Sequence, residues 1–385
     1  MYKKMTGNVM LAILFVLAIT LTLAGQKCKV SAESSSIPVT AVSCAGEFTV
    51  ALKNDGTVWT WGHLFIGDFM ARITPNPVRA GNLTNVIAIA SGDQHAIALK
   101  TDGTVWGWGN NESKQLGDGI LARHLATPVQ IEGLDNVKAI SAGAWYTIVI
   151  KHDGTVWGCG YGYEGFNIRT DVPDPLNDLS EVVAVAAGDT CSVVLKSDGT
   201  VWAWGNYNSN NNYGELGIGT RYEYRESRSP VQVKALSGVS AIAAGSSFNF
   251  ALKSNGTVWA WGCNRYGQLG DGTESDRKIP VQVSSWNGIT DIAGGSGHTI
   301  ALKSDGTVWT CGLNDQGQLG DGTNTDKNIP VQVRGLSNVI AIAAGPFNSA
   351  AVKKDGTLWV WGKNEFMQLG DGTNIDRNTP VRVSF

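Results

Sequence analysis

Asp55-Gly-Thr-Val-Trp-Thr-Trp-Gly62 is the phrase that reveals how this 385-residue chain is organised, because six further versions of it follow. The turn glycines of the seven copies recur at a mean spacing of 50 residues: Gly56, Gly103, Gly154, Gly199, Gly256, Gly306 and Gly356. Repeats of this length are typical of propellers and solenoids.

Each copy predicts a β-hairpin. An alternating apolar run such as Ile300-Ala-Leu-Lys303 precedes Asp-Gly, a second alternating run follows it, and Asp-Gly between two such runs is a strong hairpin signal. The two indoles of Trp-x-Trp are two residues apart, so on a strand they share one face. Twelve of the fourteen tryptophans occupy this pattern, and we expect its first members to be buried between blades: Trp59, Trp106, Trp202, Trp259, Trp309 and Trp359.

The sixth copy predicts four strands, A to D, of which Ile289–Gly295 is A, His298–Lys303 is B and Thr307–Cys311 is C. Strand D begins at a proline, Pro280 or its successor Pro330, which fits an outer edge where one N–H is unpaired. Strand A is rich in Ala and Gly, as the crowded centre of a ring requires. The sequence therefore predicts an all-β, seven-bladed β-propeller with four-stranded antiparallel blades, forming a single domain over residues 33–385.

The first 32 residues predict a secretory signal peptide. Lys3 and Lys4 precede an uncharged run, Val9–Leu23, and Val30-Ser-Ala32 suits a cleavage site. The alternative is an uncleaved anchor, because residues 7–25 are long enough to cross a bilayer. Either reading places the protein outside the cell or at its surface, with membrane contact only through this segment.

Charge and cysteine content narrow the function classes. Removing residues 1–32 leaves 26 basic and 33 acidic residues, a formal charge of −7, so nucleic acid is a poor partner. Five cysteines remain, without Cys-x-x-Cys spacing: Cys44, Cys159, Cys191, Cys263 and Cys311. Cys159 and Cys311 stand where other copies have the second Trp, so we expect buried thiols rather than a disulfide.

The copies differ mainly between strands C and D. Copies five, six and seven carry Gln-Leu-Gly-Asp-Gly-Thr at 268–273, 318–323 and 368–373, copy two carries Gln115-Leu-Gly-Asp-Gly119, and copy four keeps Glu215-Leu-Gly217. Copies one and three have lost this segment.

Together, Ala-Gly-x-x-His-Thr-x-Ala-Leu-Lys, Asp-Gly-Thr-Val-Trp-x-Trp-Gly and Asn-x-x-Gly-Gln-Leu-Gly resemble the repeats of the regulator of chromosome condensation family. The resemblance covers residues 37–385 and implies a seven-bladed propeller. The founding member is a nuclear exchange factor for a small GTPase, a role from which an acidic chain with a signal peptide departs. Secreted bacterial propellers of the same repeat class, which inhibit β-lactamases through aromatic residues on one face, are similar in location.

An enzyme is not predicted, because no nucleophile, metalloprotease or phosphate-loop motif is present in the sequence. His95 and His298 share one position at the start of strand B and are read as structural caps. The Asp-Gly-Thr loops that begin at Asp271, Asp321 and Asp371 could supply calcium ligands, but their spacing is not that of an EF-hand and turn capping explains them as well. We expect no cofactor and no metal.

The aromatic residues outside the Trp pattern concentrate on one face. Strand alternation places the A–B and C–D loops on that face and the uniform Lys-Ser-Asp-Gly turns on the other. Aromatic residues on a polar-rimmed face are typical of protein-binding surfaces. The predicted partner-binding residues are Phe48, Trp145, Phe347, Phe65, Phe69, Tyr161, Tyr163 and Phe166. We expect two patches, one joining copies seven and one, and the other on copy three.

The sequence thus predicts a secreted, monomeric, non-enzymatic module that binds a protein. A carbohydrate or cell-envelope binding module using the same aromatic residues as stacking platforms is the first alternative. Guanine-nucleotide exchange, by family analogy, is the second, and it requires that the signal be unused.

Overall fold

The structure is a computed structural model that describes residues 37–67, 70–117, 119, 122–161, 172–176, 178–205, 211–219 and 229–385. In these ranges the chain forms seven four-stranded antiparallel sheets, each built from consecutive strands in the order A-B-C-D. The predicted seven-bladed propeller is confirmed. Within the same ranges no helix is long and apolar enough to cross a membrane. The predicted signal or anchor, residues 1–32, lies outside them.

The first four blades have the following strands. Blade 1 contains β1 (Val39–Cys44), β2 (Phe48–Lys53), β3 (Val58–Gly67) and β4 (Met70–Arg79). Blade 2 contains β5 (Val86–Ser91), β6 (His95–Lys100), β7 (Val105–Asn110) and β8 (His124–Gln130). Blade 3 contains β9 (Val137–Ala142), β10 (Tyr146–Lys151), β11 (Val156–Gly160) and β12 (Asp174–Leu176). Blade 4 contains β13 (Val182–Ala187), β14 (Cys191–Lys196), β15 (Val201–Gly205) and β16 (Val231–Gln232).

The last three blades follow the same order. Blade 5 contains β17 (Val239–Ala244), β18 (Phe248–Lys253), β19 (Val258–Gly262) and β20 (Arg277–Gln282). Blade 6 contains β21 (Ile289–Gly294), β22 (His298–Lys303), β23 (Val308–Gly312) and β24 (Lys327–Gln332). Blade 7 contains β25 (Val339–Ala344), β26 (Asn348–Lys353), β27 (Leu358–Gly362) and β28 (Arg377–Arg382). The small-residue A strands line a central channel, as predicted.

The B–C turns are built by the Asp-Gly-Thr sequence. The carboxylate of Asp55 accepts hydrogen bonds from the N–H and hydroxyl of Thr57 at 3.0 and 2.7 Å, and Gly56 adopts a φ of 74°. The hydroxyl of Thr57 in turn accepts the Nε1–H of Trp59 at 3.2 Å, while Lys53 lies over the indole. The first tryptophan of the pair is therefore tied to the turn and packs only half-buried against the core between blades.

This arrangement corrects one expectation. Trp59, Trp259 and their equivalents are half-buried at the edge of the blade, and the second indoles are the ones that fill the space between blades. Trp61, Trp204, Trp261 and Trp361 are almost completely buried, and Trp108 nearly so. The two-residue spacing places both rings on one face of the strand, as predicted. The first ring lies next to the B–C turn and the second farther along strand C, and the neighbouring blade covers the second ring.

A main-chain carbonyl in the Gln-Leu-Gly or Glu-Leu-Gly loop fastens Trp61, Trp261 and Trp361 to the preceding blade. The Nε1–H of Trp361 donates to the carbonyl oxygen of Gln318 at 2.9 Å, and the hydroxyl of Ser349 donates to the same oxygen at 3.0 Å. Trp261 and Asn249 bond in the same way to the carbonyl oxygen of Glu215, at 3.0 and 2.9 Å. One buried acceptor thus serves two donors across the interface.

The cysteines that replace tryptophan preserve this contact. The thiols of Cys159 and Cys311 are buried and donate to the carbonyl oxygens of Gln115 and Gln268, each at 3.3 Å. Near Cys311 the lost indole volume is supplied by Trp286, whose Nε1–H bonds to the carbonyl oxygen of Leu269 at 3.0 Å. The prediction of buried thiols at these two positions is confirmed.

The ring closes where blade 7 meets blade 1. The carbonyl oxygen of Gln368 accepts the Nε1–H of Trp61 at 2.9 Å and the hydroxyl of Thr49 at 2.8 Å. The ring of Phe385 lies edge-on to Trp59 and Trp61, with ring centroids 5.9 Å apart in both pairs. Because β28 is the outer strand of blade 7, the seam joins two complete blades by side-chain packing and by hydrogen bonds, which include that from the N–H of Val39 to the carbonyl oxygen of Gly356 at 3.1 Å.

We predict that Trp261→Ala lowers the free energy of unfolding by about 3–5 kcal/mol, because it opens a cavity between blades and leaves a carbonyl short of a donor. Trp259→Ala, which removes a half-buried ring, should cost about 1 kcal/mol. Urea unfolding of the two variants checks the difference. Equal losses would contradict the assignment of the second indole as the core residue.

We also predict that deletion of residues 379–385 causes aggregation or a large fall in melting temperature. The deletion removes part of β28 and the Phe385 ring, which exposes a sheet edge and uncovers the seam tryptophans. Full-length Ser384→Ala, which changes only an exposed side chain, serves as the control in thermal unfolding. An unchanged melting curve for the deletion would show that the seam does not depend on these residues.

Candidate partner-binding face

The A–B loops are held by the last glycine of Trp-x-Trp-Gly. In blade 7, Gly362 adopts a φ of 102°, and a Cβ atom there would lie 2.5 Å from the carbonyl oxygen of Phe347. The next residue, Lys363, donates its N–H to that same oxygen at 2.9 Å. Only glycine permits this close approach, and the same main-chain bond anchors the A–B loops of blades 1, 2, 3, 5 and 6.

Neighbouring A–B loops are also bonded to each other by main-chain hydrogen bonds. The N–H of Gly46 donates to the carbonyl oxygen of Asp93 at 3.1 Å, that of Ser246 to Gly295 at 3.1 Å, and that of Ser296 to Pro346 at 3.2 Å. With those from Asp93 to Ala144 and from Thr190 to Ser246, such bonds tie the rim together at five junctions between neighbouring blades. Side chains that project from it are therefore held in fixed relative positions.

A cavity of about 230 Å³ opens at this end of the channel. Its aromatic walls are Trp145, with 38 % of its surface exposed, and the half-buried rings of Phe347 and Phe366. The remaining lining side chains are polar, small or charged: Gly46, Glu47, Asp93, Gln94, Asp189, Ser296, Pro346 and Lys363. We call this cavity the channel mouth.

Carboxylates form the floor of the channel mouth. Asp93 and Asp189 line both this cavity and the channel cavity beneath it. Burial, together with the negative charges of Asp189 and Glu47, raises the pKa of Asp93 from 3.8 to about 7. Burial also raises the pKa of Asp189 above its usual range. The site therefore concentrates negative charge in a partly desolvated space, which favours a positively charged ligand group.

The seam between blades 7 and 1 borders the channel mouth. The ring of Phe366 stacks on His63 at a centroid distance of 5.3 Å, and Nδ1 of His63 lies 2.5 Å from a carboxylate oxygen of Glu47. Lys363 places its Nζ atom 5.8 Å from the ring centre of Phe347 and 5.6 Å from that of Phe366. A cation is thus already accommodated beside the aromatic wall.

A family profile described as RCC1-like domain matches residues 75–385. The chain belongs to this family. The resemblance expected from the repeat motifs is confirmed, since the profile covers most of the propeller.

Two curated relatives of this RCC1-like domain show how far the similarity extends. The Ultraviolet-B receptor UVR8 of Arabidopsis thaliana is 33 % identical over 258 residues, which cover 62 % of this chain and 56 % of UVR8. The probable E3 ubiquitin-protein ligase HERC4 of Homo sapiens is 39 % identical over 71 residues, which cover 18 % of this chain and 6 % of HERC4. The match thus spans about half of UVR8 and a small part of HERC4.

Solved structures share the fold. Prp20p from Saccharomyces cerevisiae, which was studied for its binding to Gsp1p and histones, superposes with a TM-score of 0.76 at 22 % identity, covering 91 % of this chain and 87 % of Prp20p. Human WBSCR16 superposes with a TM-score of 0.71 at 25 % identity, covering 84 % and 89 % of the two chains.

The RCC1-like ring brings some predicted site residues together and removes one from the surface. Trp145 and Phe347 both line the channel mouth, so the two patches expected on copies seven and three meet across the channel. Phe48 is only 3 % exposed and belongs to the core between blades 1 and 2, so the expectation of an accessible ring is wrong. Its position as first residue of β2 turns the ring inward, a direction that alternation alone did not fix.

Of the remaining predicted residues, Tyr161 and Phe65 fall within the described ranges. Tyr161 is 48 % exposed, and its N–H donates to the carbonyl oxygen of Trp145 at 2.9 Å. Phe65 belongs to β3, while Phe69, Tyr163 and Phe166 lie outside the described residues. Their part in partner binding stays a prediction.

Several residues of the channel mouth were missed by sequence reasoning. Phe366 was visible as a loop aromatic, but its proximity to Phe347 depends on the fold of its own C–D loop. Asp93 and Asp189 are the two A–B loop positions where other copies have glycine, alanine, serine or proline, and this departure from the repeat is the signal that could have identified them.

The histidines and Asp-Gly-Thr loops of this RCC1-like domain have structural partners. Nε2 of His298 lies 2.9 Å from the hydroxyl of Ser349 in the next blade. The Asp271 carboxylate accepts hydrogen bonds from Thr273 and Arg277. Burial alone would raise the pKa of Asp271, but these bonds hold it below its usual range. Within the described ranges no group of three or more His, Cys, Asp or Glu residues is arranged to hold a metal ion.

We predict that Asp93→Asn stabilises the protein at pH 8 by more than about 1 kcal/mol and has little effect at pH 4. The pKa of Asp93 is raised in the folded state to about 7, so the wild type loses stability as pH rises from about 4 to 7, where the unfolded chain ionises first. The uncharged amide does not carry this penalty. Urea unfolding at both pH values checks the result, and a gain of equal size at pH 4 would contradict it.

Proposed function

We propose that this RCC1-like domain is a non-enzymatic protein-binding module that acts outside the cell or at its surface and uses its A–B/C–D face. The observation that carries the proposal is the channel mouth, where an aromatic wall stands above buried carboxylates on a rigid rim. The RCC1-like relative Prp20p, described with Gsp1p and histones, supports a protein as the class of partner. The sequence of residues 1–32 supports export.

The partner group that fits the channel mouth is a lysine or arginine side chain. Its methylene groups would pack on Trp145 and Phe347, while its charge would face Asp93, Asp189 and Glu47. Two ionised carboxylates are unfavourable in this partly desolvated space when no cation faces them, as the raised pKa of Asp93 indicates. A cation from the partner would relieve that cost, which gives affinity and charge selectivity together.

The opposite face supports the choice of surface by contrast. Its B–C turns use their polar groups internally: the Asp305 carboxylate accepts two hydrogen bonds from Thr307, and the Lys303 Nζ atom lies 4.0 Å from the ring centre of Trp309. The same contacts recur in other blades. The polar groups of these turns are already bonded within the turns themselves, so the surface offers few of them for the recognition of a partner.

A second candidate function, carbohydrate binding, is favoured by one feature. Trp145 and Tyr161 are both exposed and are linked through a main-chain hydrogen bond, so they could serve as adjacent stacking platforms for sugar rings. Glycans that bind this pair would not need the carboxylates. Glycan-array binding that survives Asp93→Asn would therefore favour this candidate.

We predict that the double variant Trp145→Ala/Phe347→Ala loses at least about tenfold in affinity for a protein partner, because central aromatic residues contribute about 2 kcal/mol or more on truncation. Partners are captured by the wild-type protein from culture medium and from cell extract, identified, and then titrated against purified variants. Circular dichroism should show an unchanged fold, since neither ring belongs to the buried core.

The matched control is Ser197→Ala/Ser304→Ala, which alters two exposed B–C turn residues on the opposite face. This control should bind as the wild type does. Loss of binding in the control, or normal binding by the aromatic variant, would refute the assignment of the face.

A further inference from the structure

The Gln-Leu-Gly loop occupies a defined slot between its own blade and the next. In blade 6 the leucine side chain of Leu319 is completely buried, and the carbonyl oxygen of Leu319 accepts the hydroxyl of Thr310 at 2.7 Å. The preceding carbonyl, that of Gln318, accepts the indole of Trp361 from blade 7. The slot therefore binds two consecutive main-chain carbonyls and one aliphatic side chain.

Blade 1 lacks this loop but keeps the donors. Thr60 is the equivalent of Thr310, and Trp108 of blade 2 is the equivalent of Trp361. Both are buried, at 4 % and 5 % exposure, and neither Thr60 Oγ1 nor Trp108 Nε1 has a hydrogen-bond partner among the described residues. Unsatisfied buried donors are costly, so two such groups in one slot are a sign of a ligand.

A cavity of about 310 Å³ replaces the missing loop, and both donors line it. Two substitutions accompany the loss of the loop. Leu64 stands where Asn264 and its equivalents hold the loop, and Ala80 stands where blade 6 has the larger Val333. The walls include apolar atoms of Leu64, Val78 and Ala80, so the cavity retains the surface against which a leucine packs.

One difference separates this slot from the filled ones. The position that supplies a second donor to the Gln carbonyl, Thr299 in blade 6, is Ala96 in blade 2. Alanine at position 96 therefore removes the second donor and leaves no unpaired polar group in its place. The donors of Thr60 and Trp108 remain. An occupant would make one hydrogen bond to each of them.

The mouth of the cavity is basic. Arg72 and Arg79 are exposed and line it. In blades 5 and 7 the residue two positions after the loop leucine is an aspartate that pairs with an arginine, as Asp371 does with Arg377 at 2.7 Å. An acidic group in the same relation to the buried leucine would lie near Arg72.

We propose that the slot between blades 1 and 2 binds a short, turn-forming peptide segment of a partner protein. The segment presents an aliphatic residue, ideally leucine, with its own carbonyl toward Thr60 and the preceding carbonyl toward Trp108. An acidic residue follows two positions later and faces Arg72. This site shares only Gln94 with the channel mouth and uses other donors, so it does not depend on the function proposed above.

The probe is the acetylated and amidated peptide Gln-Gly-Gln-Leu-Gly-Asp-Gly-Thr, the sequence of residues 316–323 of this chain. It is titrated into the ¹⁵N-labelled full-length protein while the indole N–H resonances are followed, with Trp108→Phe used to assign that of Trp108. We expect a saturable shift of the Trp108 indole resonance and none for the Trp106 indole, which bonds to Thr104.

Two matched changes test the recognition. Replacing leucine by glycine in the peptide should weaken binding by about tenfold or more, because a buried Leu side chain is worth that much. Thr60→Val, which keeps shape and removes only the hydroxyl, should weaken it by about fivefold. The unliganded Thr60→Val protein should be at least as stable to unfolding as the wild type, since the unpartnered hydroxyl contributes only a desolvation cost.

The proposal is overturned if the Trp108 resonance does not move at about 5 mM peptide, since binding weaker than that has no recognition value. It is equally overturned if Thr60→Val and the glycine peptide bind as the parent pair does. A binding site confined to the channel mouth would shift the Trp145 indole instead and would leave Trp108 unchanged.

Discussion

The ring depends on one contact that crosses to the next blade wherever the Gln-Leu-Gly or Glu-Leu-Gly loop is present, a hydrogen bond to the carbonyl oxygen that precedes the loop leucine. An indole or a thiol from the following blade donates to it, and Thr, Ser or Asn often adds a second bond. The carbonyl is buried, so losing its donors would cost the full price of desolvation. Gln368 makes the same contact with Trp61 and so converts a row of blades into a closed ring.

This contact explains the variation among the copies. Where cysteine replaces the second tryptophan, the thiol retains the bond and the neighbouring core changes volume to match, as Trp286 shows beside Cys311. Where the loop itself is lost, as in blade 1, no local substitution can supply two main-chain carbonyls. The outcome is a cavity with orphaned donors rather than a repacked core. A departure from a repeat thus becomes a candidate site when it removes an acceptor and leaves the donor.

The channel mouth is a departure of another kind. Similar A–B loops, bonded to one another at five junctions, make the rim, and the few positions that differ supply its chemistry: Asp93, Trp145, Asp189 and Phe347. Because the rim holds the carboxylates close together in a partly desolvated space, their pKa values rise, and a cation bound beside them would stabilise their ionised forms. The repeated part of the structure provides position, and the irregular part provides recognition.

The sequence by itself determined the number of blades, the four strands of each, the hairpin turns and the burial of Cys159 and Cys311, because these follow from local periodicity and turn chemistry that repeat seven times. It did not determine which indole of each pair is covered, that Phe48 points into the core, or that Phe366 and His63 meet at the seam. Those facts depend on contacts between blades far apart in sequence. The donors Thr60 and Trp108 look ordinary in the sequence, and only the tertiary structure shows that the acceptors they need belong to a loop that blade 1 does not have.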